Sequence, residues 1–321
     1  MDKVRSSKIM NVTVILCTYN RCQSLAKALA SAVALRVPES VEWEVLVVDN
    51  NSRDQTCEVV REFCDRYPGR FRYLFEPQPG KSYALNSGIR EARGTVLAFM
   101  DDDVTVEPSW LANLTAPLHG EEWAGAGGRI LPEKILSPPR WLSLKGPRGR
   151  YILAPLALFD VGEHAGQLAE PPFGTNMAFR KGMFEKHGGF RTDLGPRPGS
   201  EIRNEDTEFG ARLLAAGERI RYEPSAVVYH SVPEDRVQKK YYLDWWFDKG
   251  RANIRQFGIP ASSWCVMGIP LYLFRRLAVW TLRWIVTLDS PRRFHGKLAV
   301  WGKAGEIVEC YRRSPNEMKA Q

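Results

Sequence analysis

The chain has 321 residues, of which 44% are hydrophobic and 26% are charged, and its formal net charge is +8. These proportions are those of a globular protein, and the length allows one large domain with an appendage or two domains. A uniformly basic chain would suggest a nucleic-acid partner. From Ser231 to the end, however, the chain has 16 Lys and Arg but only 8 Asp and Glu. In residues 1–230 the 29 Lys and Arg are balanced by 29 Asp and Glu. A neutral body with a basic, aromatic tail instead predicts contact with an anionic membrane surface and no nucleic-acid partner.

The six cysteines show neither a Cys-x-x-Cys pair nor the spacing of metal ligands. In a chain of this size they indicate the reduced thiols of a cytosolic protein. Residues 1–10 carry charges and no apolar core, so we expect no signal peptide there. The predicted location is therefore cytoplasmic.

Over the first hundred residues, short apolar runs alternate with segments of helical periodicity. A helix is predicted after each of the first three strands, and the predicted strands are residues 12–17, 44–49, 71–75 and 95–100. Such alternation is typical of βαβ units. It predicts an α/β fold with a mostly parallel open sheet that is covered by helices on both faces.

Three of these strands end in polar clusters, namely Thr18–Arg21, Asp49–Ser52 and Asp101–Asp103. The carboxyl ends of parallel strands lie at one edge of a sheet, where open α/β sheets bind nucleotides. No Gly-x-Gly-x-x-Gly follows the first strand, and the sequence at 80–82, Gly-Lys-Ser, lacks the earlier glycine of a P-loop. A metal ion is therefore the expected means of holding phosphate groups.

The acidic run Asp101-Asp102-Asp103 follows an apolar strand directly. Adjacent carboxylates repel one another, and a divalent cation with a bound diphosphate removes that repulsion. Alternate residues of an extended segment project to the same side, so we expect Asp101 and Asp103 to hold one ion together. Because Asp-x-Asp is common, a solvated acidic turn is the alternative interpretation.

The later part of the chain has fewer clear signals. Residues 110–172 are rich in Pro and Gly and lose their periodicity, which predicts loops over the open face of the sheet. Asn204 caps a predicted helix whose first residues are Glu205 and Asp206. A further predicted strand ends in His230.

Six motifs occur along the chain in a fixed order. They are Cys-Thr-Tyr-Asn-Arg at 17–21, Val-Val-Asp-Asn-Asn-Ser at 47–52, Gly-Lys-Ser-Tyr-Ala-Leu-Asn-Ser-Gly-Ile at 80–89, Phe-Met-Asp-Asp-Asp-Val at 99–104, Gly-Thr-Asn-Met-Ala-Phe-Arg at 174–180 and Asn-Glu-Asp-Thr-Glu-Phe at 204–209. Together they resemble the motifs of the family 2 glycosyltransferases, which have the GT-A fold. The resemblance covers about residues 12–230. It implies an inverting transfer of a sugar from a nucleotide-diphosphate sugar, assisted by Mg²⁺ or Mn²⁺ as cofactor.

The resemblance also implies roles for individual residues. Asp206 matches the catalytic base of the family. Asp101 and Asp103 match its Asp-x-Asp metal ligands, and His230 resembles a third metal ligand of part of the superfamily. The residues implied in donor binding are Thr18, Tyr19, Arg21, Asp49, Asn51, Lys81, Asn86, Asp101 and Asp102. The residues implied near the donor sugar or the acceptor are Gly174, Thr175, Asn176 and Glu205.

Several of these residues also have an ordinary structural interpretation. Glu205 and Asp206 are common residues in the first turn of a helix, where the dipole favours a carboxylate. His230 is also consistent with a hydrogen-bonded histidine at a strand end. Lys81 is consistent with a cation that balances acids at the sheet edge, and Asn176 with a turn residue.

Residues 231–321 form a predicted second region that is helical, basic and rich in aromatic residues. Within it, residues 269–288 are apolar apart from three arginines and two threonines. At ~100° per residue the arginines fall within one sector of about 100°. This pattern predicts an amphipathic helix that lies in the interface of the cytoplasmic leaflet. Packing on the catalytic domain and a dimer contact are the alternatives.

Inversion requires a carboxylate that takes the acceptor proton on one side of the sugar and charge stabilisation of the leaving diphosphate on the other. The separation of Asp206 from Asp101 and Asp103 in sequence is compatible with that division. We therefore predict a catalytic domain over residues 1–230 in a protein that is peripheral on the cytoplasmic face of the cell membrane. It is expected to transfer sugar, with a UDP-sugar as the favoured donor, to a glycan or lipid-linked acceptor in cell-surface glycan, polysaccharide or glycolipid synthesis.

The alternative function is a catalytically silent scaffold that binds nucleotide-sugars at the membrane. The complete set of Asp101, Asp103 and Asp206 argues against it. A nucleotidyltransferase is disfavoured, because such an enzyme would have a basic glycine-rich loop after the first strand, and Thr18–Arg21 is not one.

Overall fold

The structure is a computed structural model that describes residues 9–134, 137–142 and 152–313. Residues 1–8, for which the sequence predicts no signal peptide, lie outside the described residues. A nine-stranded sheet organises the described chain, and eight of its strands follow the order β3-β2-β1-β4-β8-β6-β9-β5, while β7 pairs with β9. The strands are β1 Met10–Thr18, β2 Val41–Asp49, β3 Phe71–Phe75, β4 Val96–Asp101, β5 Val104–Val106, β6 Gly125–Pro132, β7 Gly166–Gln167, β8 Met177–Arg180 and β9 Ile220–His230.

The first four strands are parallel and adjacent, as the sequence predicts. Their connections are the helices α1 Cys22–Val33, α2 Thr56–Arg66 and α3 Lys81–Glu91. On the other side of β4 the sheet is mixed, because β8 runs antiparallel to both β4 and β6, whereas β6 and β9 are parallel. The predicted α/β class is therefore confirmed, and β8 inserts one antiparallel strand into the otherwise parallel centre.

The prediction of loops over residues 110–172 is wrong for part of that range. It contains helix α4, Trp110–Thr115, and strand β6, which lies in the interior of the sheet order. The sequence of β6 begins Gly-Ala-Gly-Gly, which is a poor strand signal. The glycines are needed because a Cβ at Gly125 would collide with the Phe179 ring, and one at Gly128 would collide with the Ala226 carbonyl. Close approach of neighbouring strands therefore selects residues that local propensity disfavours.

The chain divides into two compact units. The first comprises Met1–Glu133, Ala157–Thr192 and Asp206–Ser231, and the second comprises Lys134–Leu156, Asp193–Glu205 and Val232–Gln321. One boundary lies next to the predicted limit at residue 230, and the second unit also takes two earlier segments of the chain. The nine-stranded sheet belongs to the first unit.

An aromatic cluster forms part of the core of the first unit. Phe184, in helix α5 (Lys181–His187), stacks on Phe209 of helix α6 (Glu205–Ala215) with ring centroids 4.3 Å apart. Phe99 of β4 contacts Phe184 at 5.8 Å, and Phe179 of β8 contacts Phe209 at 5.2 Å. The strand that ends in the acidic run is thus held by large buried side chains close to its end.

Among the described residues, the second unit contains three long helices, α7 Lys239–Phe257, α8 Leu271–Val286 and α9 Ser290–Arg312. Helices α7 and α9 approach so closely that a Cβ on Gly305 would collide with the Phe247 carbonyl oxygen. The buried Glu309 of α9 accepts from Arg251 Nε at 3.1 Å and from Arg255 Nε at 2.6 Å. Within the described ranges, no helix is both long enough and apolar enough to cross a bilayer.

Candidate active site

The ends of three parallel strands meet at one edge of the sheet, as predicted. The strand register places Thr18 opposite Asp49 and Cys17 opposite Asp101. These positions lie at the carboxyl ends of β1, β2 and β4. The polar clusters that follow the three strands therefore share one edge, although Thr18 and Asp101 are 83 residues apart in sequence.

The acidic run does not continue as an extended strand. Strand β4 ends at Asp101, and a turn through Asp102 and Asp103 leads into β5. Simple strand alternation therefore does not govern the three carboxylates. The exposed fractions are nevertheless unequal, at 23% for the Asp101 side chain, 17% for Asp103 and 6% for Asp102. Asp101 and Asp103 are the accessible acids of the run.

Asp102 is buried and has protein partners on both oxygens. Thr18 Oγ1 donates to its Oδ2 at 2.8 Å, and Arg21 Nη1 donates to its Oδ1 at 3.0 Å. Burial raises the pKa of Asp102 to about 6, while the positive charge of Arg21 acts in the opposite direction. In this arrangement Asp102 ties the turn to the end of β1, and its contact with the donor stays a prediction.

Arg21 bridges two acids of the run, since its Nη1 also donates to Asp103 Oδ2 at 3.1 Å. Burial acts to lower the pKa of Arg21, but the attraction of Asp102 and Asp103 outweighs it and raises that pKa above its usual value. The guanidinium group therefore stays charged and partly exposed beside the accessible Asp103. A cation placed there can neutralise carboxylates or contact a diphosphate.

Asp101 is bound by residues from two distant parts of the chain. Lys81 Nζ, at the start of α3, lies 2.6 Å from Asp101 Oδ1. Thr175 Oγ1 donates to Asp101 Oδ2 at 2.7 Å. The structure thus brings together three residues that the sequence implicates separately in donor, metal and sugar binding.

The loop that precedes β8 also contacts the candidate base. The Gly174 N–H donates to Asp206 Oδ2 at 2.6 Å, while the next residue, Thr175, donates to Asp101. A Cβ on Gly174 would lie 3.1 Å from the same carboxylate oxygen, so glycine allows the close approach. Two consecutive residues therefore connect Asp206 to the acidic run. Glu205, in contrast, is buried at 5% exposure.

His230 ends β9 and lies beside the acidic turn. Its Nε2 is 3.5 Å from Asp103 Oδ2, and the residue is 1% exposed. Strand pairing sets this position, because His230 is the register partner of Val104, which follows Asp103. Carboxylate oxygens are ligands of both Mn²⁺ and Mg²⁺, whereas an imidazole nitrogen suits transition metals and rarely binds Mg²⁺.

The side chains of Asp101, Asp103 and His230 are therefore of a chemical type that can bind a divalent cation. In the described part of the chain, no three His, Cys, Asp or Glu side chains already surround a common point. Asp101 and Asp103 instead pair with the cationic groups of Lys81 and Arg21. The negative charge of the run is thus partly compensated by the protein itself.

The candidate nucleotide side of the edge centres on Asp49, which is 2% exposed. Its Oδ1 accepts from the Ser52 N–H at 2.9 Å, and its Oδ2 accepts from the Tyr73 hydroxyl at 2.8 Å. Tyr19, after β1, is 40% exposed and available for contact. Tyr73 was not identified from the sequence, because its partner depends on the pairing of β3 with β2.

Asn50 is a second residue that sequence reasoning missed. Its amide donates to the carbonyls of Glu76 and Gln78, at 3.2 and 2.7 Å, and its Oδ1 accepts from the Gly80 N–H at 2.7 Å. It therefore fixes the loop that leads to Lys81. The neighbouring Asn51, implied in donor binding, has a positive φ of 65°, and its amide reaches the Pro77 carbonyl at 3.4 Å. The Asp-Asn-Asn sequence at a strand end was the available signal.

Asn176, implied near the sugar or acceptor, has a structural role, and Asn86, implied in donor binding, is half-buried and bonded to the backbone. Asn176 is fully buried, its Oδ1 accepts from Trp110 Nε1 at 2.8 Å, and its amide donates to the carbonyls of Arg129 and Ala226 at 2.8 Å each. With all its amide groups bonded in the interior, Asn176 has none left for an acceptor. Asn86 likewise makes paired hydrogen bonds to the backbone of Phe190, at 2.8 and 2.9 Å.

The acidic run and the strands that lead to it lie within a segment that matches a known protein family. Residues 13–188, more than half of the chain, match the family described as Glycosyl transferase family 2. This chain belongs to glycosyl transferase family 2. The family 2 chain is 33% identical over 281 residues to the glycosyltransferase AglE of Haloferax volcanii, which covers 86% of the chain and 82% of AglE.

A second family 2 relative in Haloferax volcanii is named glucosyl-dolichyl phosphate glucuronosyltransferase. It is 28% identical over 240 residues, which are 74% of this chain and 72% of the relative. Among solved structures, the mannosyltransferase PcManGT of Pyrobaculum calidifontis, in complex with GDP-Man and Mn²⁺, matches with a TM-score of 0.55. That match is 19% identical and covers 96% of this chain and 77% of PcManGT. These findings confirm the GT-A fold and a glycosyltransferase of the EC 2.4 class.

Proposed function

We propose that this family 2 glycosyltransferase is an inverting, divalent-metal-dependent enzyme with Asp206 as its catalytic base. The observation that carries the proposal is the pair of hydrogen bonds from consecutive residues, Gly174 to Asp206 and Thr175 to Asp101. These bonds support the proposal because they link the candidate base to the candidate metal-binding carboxylates through two consecutive residues. Inversion requires both functions within the span of one sugar.

In the proposed reaction, the acceptor hydroxyl attacks the anomeric carbon of the donor. A bond forms between that oxygen and the carbon while the bond from the carbon to the diphosphate oxygen breaks, and its electron pair leaves with the diphosphate. Asp206 takes the proton of the attacking hydroxyl. Backbone donors orient this carboxylate, because Oδ2 accepts from the Gly174 N–H and Oδ1 from the Thr207 N–H, each at 2.6 Å.

Asp101, Asp103 and His230 are the residues proposed to hold the Mn²⁺ or Mg²⁺ ion. When bound there, the ion would stabilise the negative charge that develops on the leaving diphosphate. Lys81 and Arg21 contribute fixed positive charge at the same edge, since each already contacts a carboxylate of the run. Support for metal use includes the Mn²⁺ in the complex of PcManGT.

The proposed donor is a nucleotide-diphosphate sugar, with a UDP-sugar favoured. Its nucleotide would lie along the ends of β1 and β2, where Asp49 offers a hydrogen-bond acceptor and Tyr19 an exposed ring. The proposed acceptor is a glycan or a lipid-linked sugar on the cytoplasmic face of a membrane, for cell-surface glycan synthesis. The dolichyl phosphate in the name of one relative supports a lipid-linked acceptor.

The test is release of nucleotide diphosphate from a panel of UDP-, GDP- and dTDP-sugars, with Mn²⁺, Mg²⁺ or EDTA, and with extracted lipids as the acceptor source. Asp206→Asn keeps an oxygen that can accept from Gly174 but removes the base, so we expect a loss of about 10²–10⁴-fold in turnover. Asp65→Asn, an exposed acid on α2, is the matched control and should leave turnover unchanged.

The results separate the proposal from its alternative. Turnover by Asp206→Asn within about threefold of the native chain would exclude Asp206 as the base. Donor binding by calorimetry without release in any mixture would favour the silent nucleotide-sugar scaffold. Release that EDTA does not reduce would exclude the metal part of the proposal.

A further inference from the structure

Exposed apolar side chains are concentrated in one short part of the second unit. Among the described residues, sixteen large hydrophobic side chains are exposed, and ten of them lie between Trp264 and Leu288. Three of the ten are more than three-quarters exposed, namely Leu288 at 93%, Trp264 at 85% and Met267 at 77%. Scattered exposed apolar residues need no explanation, but a contiguous set of this size marks an interaction surface.

Most of this set comes from one side of helix α8. Its opposite side packs within the second unit, where Leu273 is fully buried and the Trp284 ring lies 6.1 Å from that of Trp301 on α9. At ~100° per residue, six exposed apolar residues fall within a sector of about 140°. They are Leu271, Phe274, Val279, Leu282, Ile285 and Val286. The helix therefore presents a second apolar face that the described residues of the second unit leave uncovered.

A small hairpin extends this face at the amino end of α8. Strands β10 (Cys265–Val266) and β11 (Ile269–Pro270) pair around a two-residue turn whose φ angles are 51° at Met267 and 77° at Gly268. The Leu271 N–H donates to the Trp264 carbonyl at 2.8 Å, which fixes the hairpin to the start of the helix. Asn or Gly is favoured at the position of Met267, so the turn displays an apolar side chain where a polar one fits better.

The charge of this segment has one sign. No Asp or Glu occurs from Lys249 to Leu288, and Arg275, Arg276 and Arg283 are exposed on α8. Arg276 lies 5.2 Å from the Tyr272 ring and Arg283 lies 5.1 Å from the Trp280 ring. In the same projection, Arg276 and Arg283 lie ~40–60° beyond the apolar sector.

We propose that the hairpin and the outer face of α8 dock into an anionic lipid bilayer, with α8 parallel to the membrane plane. The docking surface consists of Trp264, Val266, Met267, Leu271, Phe274, Val279, Leu282, Ile285, Val286 and Leu288. Its apolar side chains enter the boundary between headgroups and acyl chains, a depth of about 5–10 Å. The arginines at its edge meet lipid phosphates, and the long side chain of Arg275 reaches the same level from within the sector.

Charge favours a bilayer over a second copy of the chain as the occupant. A two-fold contact through this surface would bring Arg275, Arg276 and Arg283 close to their own copies, with no acid in the segment to separate them. Anionic headgroups supply the opposite charge. This inference rests on the proposed membrane location but not on the proposed chemistry.

The test is flotation of the full chain with vesicles of phosphatidylcholine alone and with about one-third phosphatidylglycerol. We expect binding to the anionic vesicles only, with a loss of at least about tenfold in Leu282→Asp/Ile285→Asp. Trp264→Ser/Met267→Ser tests the hairpin without changing the helix and should also reduce binding. Arg276→Gln/Arg283→Gln should weaken binding about fivefold per arginine, and most at low salt.

The matched control is Val161→Asp, because Val161 is 56% exposed and lies in the first unit. It should bind vesicles as the native chain does. Nucleotide release without lipid, measured in every variant, reports the chemistry separately, so a failure of catalysis does not affect the conclusion on docking. Equal binding by the docking-surface variants and the control, or no binding by the native chain, would overturn the proposal. So would a dimer that these variants dissociate while vesicle binding persists.

Discussion

Removal of the Tyr73 hydroxyl tests the nucleotide side of the site. This hydroxyl donates to Asp49 Oδ2 at 2.8 Å, and the other carboxylate oxygen accepts from Ser52 at 2.9 Å. Asp49 is 2% exposed, so solvent cannot replace the lost partner easily. We predict that Tyr73→Phe raises the KM for the nucleotide-sugar about tenfold and leaves kcat nearly unchanged.

The magnitude follows from the bond that is lost. A hydrogen bond to a charged group contributes about 1.5–3 kcal/mol. Because Ser52 still holds one oxygen of Asp49, we expect the free energy of donor binding to weaken by the lower end of that range. A change of about 1.4 kcal/mol corresponds to a tenfold change in affinity. Burial and the adjacent Asp49 raise the pKa of Tyr73 above its usual value, so the hydroxyl stays protonated. The ratio of the two KM values should therefore be constant from about pH 6 to 9.

The assay is steady-state nucleotide release with the donor varied, beside thermal unfolding of each variant. Tyr222→Phe is the matched control, because it removes a tyrosine–carboxylate contact to Asp160, at 3.2 Å, elsewhere in the same unit. Both variants should lose stability, but only Tyr73→Phe should raise KM. An equal KM in native and Tyr73→Phe chains, or an equal rise in the control, would refute the reasoning.

Three further predictions concern packing, folding and metal. Gly305→Ala should lower the free energy of unfolding in urea by about 1–3 kcal/mol, because its Cβ meets the Phe247 carbonyl. A gain in helix propensity offsets up to about 1 kcal/mol of that loss. Unchanged stability would show that α7 and α9 separate freely. Asn176→Ala should lower the free energy of unfolding by at least about 3 kcal/mol, since the Trp110 N–H and the carbonyls of Arg129 and Ala226 lose their partner in the interior. A stable variant that selectively loses acceptor use would instead support the predicted ligand role of Asn176. His230→Ala should raise the Mn²⁺ concentration for half-maximal turnover about 10–100-fold, and an identical metal titration would remove His230 from the metal site.

The sequence alone determined the parallel half of the sheet and its functional edge. Apolar strands, helical periodicity and turn residues are local signals, each contained in fewer than about twenty residues. A rule of chain topology then places the polar ends of β1, β2 and β4 together. Thr18, Asp49 and Asp101 could therefore be assigned to one edge before any contact was known. The basic, apolar pattern of the later helix was equally local.

Only the tertiary structure decided which of these side chains are exposed and which are bonded in the interior. Asp102 and Asn176 belong to the same motifs as Asp101 and Thr175, yet both are buried and bonded to residues far away in the chain. Strand β6 was not predicted, because its glycines are required by the close approach of neighbouring strands and have low strand propensity. The link from Thr175 to Asp101 spans 74 residues. Such choices depend on register and packing between segments far apart in the chain, where no local pattern carries the information.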